Sequence, residues 1–329
     1  MAQAREHSAL GLYMFTSTLD SWLANRALKS RRKARAANAS PLAFSMIDSS
    51  AGQIRCVDSG GQGPVVVFVP DGPNVIEHYQ QLIDQISQTC RVICFDMPGF
   101  GFSIPSPDYS HSLREGAATV ISVLDYFEID NATLAFSCAN GFYALRAAAQ
   151  FPGRICGLVL SQTPSMIAMH AWTARIVPWP LKIPVIGQIT GWLFRERAAV
   201  GWYRAALPRS TDATSFRNLA RASLRCGGCF SLAGVVQGLL KEADAKFDIA
   251  SVPCTLFWGK QDRSHRLTNS LSLLDVVPHA EVIELEVCGH FPDLEAGRRY
   301  TQILAARVSV WSQNRVNAFV IEEELPKCC

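Results

Sequence analysis

Short, unbroken apolar runs that recur between helical patterns constrain this chain more than any other feature. Val65-Val66-Val67-Phe68-Val69 has no polar face, which predicts a strand covered on both sides. Arg91 to Phe95, Thr133 to Phe136 and Ile155 to Leu160 read as further buried strands. Between them, Asn74 to Gln88, His111 to Phe127 and Gly141 to Gln150 read as helices. The second carries apolar positions at Ala117, Val120, Ile121, Val123 and Leu124. A hairpin, Phe44 to Asp48 and Gln53 to Asp58, precedes the series. This βαβα rhythm predicts an α/β fold: a mainly parallel central sheet flanked by helices.

The rhythm stops between Ser165 and Ala250, where helical patterns broken by Pro and Gly replace it. That stretch is far longer than an ordinary connection and reads as an inserted helical cap. Strands resume at Pro253 to Gly259 and Glu281 to Val287, and Gly297 to Trp311 reads as a last helix. The expected organisation is therefore a basic amphipathic extension (1–40), a first core part (41–164), the cap (165–250), a second core part (251–316) and a C-terminal tail (317–329) whose end, Glu322 to Cys329, is expected to fray.

A chain with 49% hydrophobic and 18% charged residues can bury a large core. The net charge of +3 gives no footprint for nucleic acid. It is unevenly placed: the first forty residues hold seven Lys/Arg against two Asp/Glu. Leu12, Phe15, Leu19, Trp22 and Leu23 recur at helical spacing just before Lys29-Ser30-Arg31-Arg32-Lys33-Ala34-Arg35. This helix either packs on the body of the protein or makes a peripheral contact with anionic lipid. Eleven scattered cysteines, several in apolar runs, fit reduced thiols, and no secretory h-region opens the chain, so a cytoplasmic location is expected. Cys226 and Cys229 have metal-like spacing with no second pair near them, so no metal is expected. No phosphate loop or dinucleotide fingerprint appears, and no cofactor is implied.

In an open parallel sheet, reactive groups belong at the carboxyl ends of the strands. Cys138, Asp262 and His290 each stand just past a predicted strand, in that order. A thiol, a carboxylate and an imidazole make up a nucleophile–acid–base relay: the base takes the nucleophile's proton and the acid orients the base.

From about Pro41 to Trp311 the chain resembles the capped branch of the α/β-hydrolase superfamily. Asp96-Met97-Pro98-Gly99-Phe100-Gly101-Phe102-Ser103 is similar to its D-x-P-G-x-G-x-S turn. Gly259-Lys260-Gln261-Asp262 is similar to its acid loop, and Gly289-His290-Phe291 to its histidine loop. The nucleophile elbow departs from G-x-S-x-G: Phe136-Ser137-Cys138-Ala139-Asn140 stands there. Counting back from Ala144 and Pro152, which resemble the family's residues after the elbow, puts Cys138 on the nucleophile. A shift by one puts Ser137 there between small flanks, with an extra residue in the next helix. A buried inert thiol is the plain alternative.

The resemblance implies two backbone oxyanion donors. Ala139 supplies one; Pro73 stands at the other and has no N–H, which leaves Asn74. Asp71 occupies the family's usual histidine position and reads as shaping the turn. Trp179 and Trp192 of the cap, with Phe291, are expected to line an apolar substrate chamber. The function implied is an acyl hydrolase (esterase, thioesterase or lactonase) working on an apolar small or acyl substrate through an acyl-thioester. An acyltransferase or cyclase using the same cysteine, and a non-catalytic ligand-binding member of the fold, are the alternatives. The oligomeric state is not legible in the sequence.

Overall fold

The computed structural model describes residues 16–26, 42–242, 245–249 and 252–324. Of the N-terminal extension, Leu12, Phe15 and the Lys29–Arg35 cluster lie outside the described residues, as do 325–329 of the tail.

Among the described residues, nine strands form one sheet: β1 (Phe44–Ser49), β2 (Gly52–Asp58), β3 (Val65–Val69), β4 (Arg91–Phe95), β5 (Ile104–Pro105), β6 (Ala132–Ser137), β7 (Ile155–Ser161), β8 (Cys254–Gly259) and β9 (Glu281–Leu285). Their order is β1-β2-β4-β3-β6-β7-β8-β9, with β5 beside β2. β1 and β5 pair with β2 antiparallel, as does β4; every pairing from β4 to β9 is parallel. The apolar runs are explained by two covered faces. Val67, Val69, Ile93, Phe95, Leu134 and Phe136 enter one core cluster, whereas Val66, Phe68, Val92, Cys94 and Ala135 enter the other. β9 differs from its expected buried character: its burial is only partial, because it closes the edge of the sheet and has one strand neighbour.

The described N-terminal helix, α1, covers residues 16–26. The first core face is covered by α3 (Leu113–Tyr126) and α4 (Ala139–Gln150), the second by α2 (Gln80–Ile86) and α10 (Gly297–Glu324). Ser112 caps α3 by accepting from the Glu115 N–H, and Glu115 accepts from the Ser112 N–H in return, a reciprocal box that fixes where the helix starts. α10 runs well past Trp311, the expected end, because no Gly or Pro interrupts the chain until Pro326. Just before α10, α9 (Pro292–Glu295) forms a single turn that leads into it.

Between β7 and β8 the described chain is helical: α5 (Met166–Ile176), a turn at Trp179–Lys182, α6 (Ile186–Ala206), α7 (Thr214–Ser223), a π-helical turn at Leu224–Gly228 and α8 (Cys229–Leu240). The run Thr214–Leu240 is long and apolar enough to cross a membrane, but 72% of its apolar window is buried inside the fold. It forms the inner layer of the cap. α1 docks here, with Leu23 against the cluster of Leu224, Cys229 and Phe230, and Asp20 accepting from Gln188.

One buried ion network aligns the sheet with the loops above it. Arg55 on β2 has no exposed surface and lies between the rings of Phe44 and Phe102, each 4.5 Å from its guanidinium carbon. It donates to both Glu77 oxygens at 2.8 Å and through Nε to Asp96 at 2.7 Å. Asp96 also accepts from the Ile76 and Phe102 N–H groups, so it ties the loops after β3 and β4 together. Removing Asp96 takes one of two anions from the buried guanidinium and leaves the Ile76 and Phe102 N–H groups without their acceptor, and breaking such a buried pair costs about 3–5 kcal/mol. Asp96→Ala is therefore expected to lower unfolding stability by about that amount in urea titration. A loss within about 0.5 kcal/mol would mean that the network carries little of the loop alignment.

Candidate active site

Cys138 is the first residue past β6 and the cap residue of α4, at φ 50° and ψ −120°. A non-glycine residue there is strained by about 1–3 kcal/mol, and it persists only where its surroundings hold it. The Cys138 N–H donates to Ser161 O at 2.8 Å, and its carbonyl accepts from the Gly141 N–H and Thr163 Oγ1. Gly141 lets the helix approach β7: a Cβ there would meet Thr163 Oγ1 at 2.2 Å. The large Phe136 is accommodated because its ring turns into the core, edge-on to Phe95 at 6.4 Å. Ser137, the alternative of the shifted register, faces elsewhere: its hydroxyl donates to Asp293, which also takes the Tyr79 hydroxyl.

The loops after β8 and β9 bring Asp262 and His290 together. Gly259 makes this possible, since a Cβ there would lie 1.8 Å from Gly289 O. Asp262 Oδ2 is 2.6 Å from His290 Nδ1 and accepts from Gln162 Nε2 at 2.8 Å, while Oδ1 accepts from the N–H and hydroxyl of Ser264. Burial alone would raise the Asp262 pKa, but the His290 charge and these donors win and take it down to about 2. His290 Nε2 is 3.1 Å from Asp71 Oδ2. Cys138 Sγ, an Asp71 oxygen and a His290 nitrogen all lie within 4.8 Å of one another.

Asp71 therefore does more than shape its turn: it shares the histidine with Asp262. Burial works against a charged imidazole, yet Asp262, Cys138 and Asp71 together hold the His290 pKa well above its ordinary value. Burial pushes the Cys138 thiol up, Asp71 pushes it further, and His290 pulls it down. The positive N-terminus of α4 also favours negative charge at this position.

Ala139 opens α4, where first-turn N–H groups lack intrahelical partners, and it lines the cavity beside Cys138. Asn74 keeps a buried Nδ2 with no hydrogen-bond partner among the described residues. Its N–H donates to Asp71 O at 2.8 Å, its Oδ1 accepts from Tyr203, and it does not line the cavity.

The cavity next to Cys138 has a volume of about 460 Å³, and its walls include Met169, Trp172, Trp202, Leu232 and Leu239. Trp179, Trp192 and Phe291 are absent from it. Trp179 is 68% and Trp192 49% exposed on the outer cap surface. Phe291 is buried against Tyr203 and Phe216. The cap tryptophans at the site are Trp202, 4.9 Å from the His290 ring, and Trp172, stacked on His265 at 4.9 Å. Their indole N–H groups are buried without a hydrogen-bond partner among the described residues.

Gln162 and His265 carried no sequence signal beyond their places after β7 and after Asp262. Burial and the His290 charge lower the His265 pKa to about 3. Among the described residues, two groups could hold a cation, Asp71–Cys138–His290 and Asp262–His265–His290. Both use His290, whose two nitrogens are already engaged by carboxylates, so a metal would have to replace an ion pair.

A strained strand–helix turn carrying a thiol, with a carboxylate-held imidazole over it and an apolar chamber beside it, defines a class of fold rather than one protein. The sequence profile of the Alpha/beta hydrolase family matches residues 66–303. The chain belongs to that family. It is 26% identical over 269 residues to 2-hydroxymuconate semialdehyde hydrolase of Pseudomonas sp. (strain CF600), covering 75% of this chain and 87% of the relative. It is 24% identical over 247 residues to cis-3-alkyl-4-alkyloxetan-2-one decarboxylase of Shewanella oneidensis, covering 70% and 77%. Its fold is similar to that of epoxide hydrolase A from Mycobacterium thermoresistibile, with a TM-score of 0.66 at 14% identity over 81% of this chain and 98% of the other.

The opposed effects of Asp71 and His290 on the thiol give a test. Asp71→Asn removes a charge that raises the Cys138 pKa, so iodoacetamide labelling of Cys138 at pH 7 is expected to accelerate, by about tenfold per pKa unit. His290→Ala is expected to slow it. Peptide mass mapping reads both; equal rates in all three proteins would mean that neither group acts on the thiol.

Proposed function

We propose that the protein is an acyl hydrolase for an apolar small substrate, with Cys138 as nucleophile, His290 as base and Asp262 as the group that orients the imidazole. The observation that carries this reading is the position of Cys138 at the strained head of α4, with the Asp262–His290 pair over it. In the first half-reaction Cys138 Sγ bonds to the substrate carbonyl carbon, and its proton goes to His290 Nε2. The tetrahedral oxyanion takes the Ala139 N–H. The carbon–leaving-group bond then breaks, and His290 returns the proton to the departing alcohol or thiol. Water attacks the resulting thioester and gives His290 a proton; the carbon–sulfur bond then breaks, His290 returns the proton to Cys138 Sγ, and the acid leaves.

Two features support slow turnover. Pro73 has no N–H and that of Asn74 is turned into Asp71 O, so the oxyanion receives one backbone donor fewer than the family pattern implies. The missing donor is worth on the order of 3 kcal/mol. Asp71 also has to give up His290 Nε2 before that atom can accept a proton. An alkyl-bearing ester, thioester or lactone suits the apolar chamber, and the Shewanella relative acts, by its name, on a dialkyl oxetanone. The Asp71–His290 contact also favours one second reading, a non-catalytic binder whose imidazole is locked.

Intact-protein mass spectrometry with alkyl esters, thioesters and lactones separates these outcomes. An adduct on Cys138 that forms quickly and decays slowly in water, absent in Cys138→Ala, is expected for the hydrolase. Decay only on adding an alcohol, amine or thiol would identify a transferase. No adduct, with ligand binding retained in Cys138→Ala, would establish the binder.

A further inference from the structure

Exposed apolar side chains are concentrated on one part of the cap. Among the described residues, Trp179, Ile186, Ile189, Trp192, Leu193 and Phe194 are each between 45% and 68% exposed, and all fall within sixteen consecutive positions of the chain. On α6, Ile186, Ile189 and Leu193 follow i, i+3, i+7 spacing and form one outer stripe, flanked by Trp192 and Phe194. The opposite side of α6 is the one that packs, through Gly187, Gln188 and Gly191, on α8 and α1. Exposed apolar side chains clustered in this way on a protein surface mark an interaction site.

Charge decides the partner. No Asp or Glu occurs from residue 164 to residue 195, whereas Arg175, Lys182 and Arg195 do. Arg195 lies 5.8 Å over the Trp192 ring and Arg197 5.9 Å over Phe194, so cations border the apolar stripe. The first acid after this stretch, Glu196, is committed to Arg221 and Arg225. On α1, which docks beside α6, Trp22 is 55% exposed with Arg26 over its ring. The sequence continues from there into the Lys29–Arg35 cluster. A second copy of this face would set like charges against each other. A bilayer with anionic headgroups accepts both parts, the aromatic and aliphatic tips at the acyl boundary and the cations at the phosphates.

We propose that the outer face of the Trp179–Lys182 turn and α6 docks on an anionic lipid surface. The same segment reaches the reaction chamber: Ile176, Val177, Pro178 and Leu181 line the cavity that holds Cys138. The substrate then enters from the lipid phase, as a membrane-partitioned acyl compound. That second step rests on the acyl-hydrolase reading; the docking does not.

The test is flotation of the full chain with phosphatidylcholine vesicles, with and without phosphatidylserine, at low and high salt. Binding is expected to need phosphatidylserine and to weaken with salt. Leu193→Asp/Phe194→Asp, at two exposed sites outside the cavity, is expected to weaken it by about tenfold or more. Turnover of a short, water-soluble ester is expected to stay unchanged in that variant. Cys138→Ala is expected to bind vesicles like the unmodified chain, which separates failure of the docking from failure of the chemistry. Three results would overturn the proposal: no flotation at low salt, flotation that survives the double substitution but is lost on deleting residues 1–35, or a solution dimer that the double substitution splits.

Discussion

The His290 imidazole, with no surface exposed, is held by carboxylates on both ring nitrogens. Much of the neighbouring structure supports that arrangement. Two buried carboxylates are tolerable only if their oxygens are supplied with donors. Gln162 and Ser264 supply Asp262, and Gln162 also accepts from the Gly259 N–H, which keeps the end of β8 in register with β7. The His290 N–H donates to Ala206 O at the end of α6, so the histidine loop is fastened to the cap as well as to the sheet.

The opposite wall of the site works differently. Cys138 is held in place by strain that rigid elements sustain: β7 takes its N–H, Thr163 its carbonyl, and Gly141 lets α4 close on the strand. A penalty of about 1–3 kcal/mol is affordable beside a sheet whose interior strands are covered on both faces. Such a turn fixes the thiol at the end of a helix dipole without relying on loop order. The imidazole is placed by hydrogen bonds and the thiol by backbone geometry, so substitutions should damage the two through separate routes.

How much of this was legible in the sequence follows from which interactions are local. The parallel strands were readable because two-sided burial removes alternation, and Val65–Val69 states that directly. The start of α3 was visible as Ser112 and Glu115. Cys138, Asp262 and His290 were found because strand ends fall at fixed places in the pattern, and the structure brings them into one cluster. Asp71 on the histidine, Gln162 on Asp262 and Arg55 under Asp96 were not found. Each depends on a partner tens to hundreds of positions away, with no periodic signal. The cap aromatics were misassigned for a related reason: composition shows that tryptophans are present, but only helix packing decides that Trp172 and Trp202 face inward while Trp179 and Trp192 face outward.

Asp71 distinguishes this site from one with a neutral or cationic group at the same place. An anion there lowers the energy of the imidazolium and raises that of the thiolate, so it stabilises the resting pair in the form thiol and protonated histidine. In that form His290 cannot accept a proton and Cys138 is a weak nucleophile. Burial also raises the Asp71 pKa, while the hydrogen bond to His290 and the charge of that ring lower it. Under the proposed mechanism, an apolar acyl group entering the chamber displaces water, and the added desolvation penalises the Asp71 anion, so the Nε2 proton of His290 passes to Asp71. Nε2 can then take the Cys138 proton, and the thiolate forms beside the imidazolium. Occupancy of the chamber and activation of the thiol are then coupled through one carboxylate, and an empty site keeps its cysteine protonated.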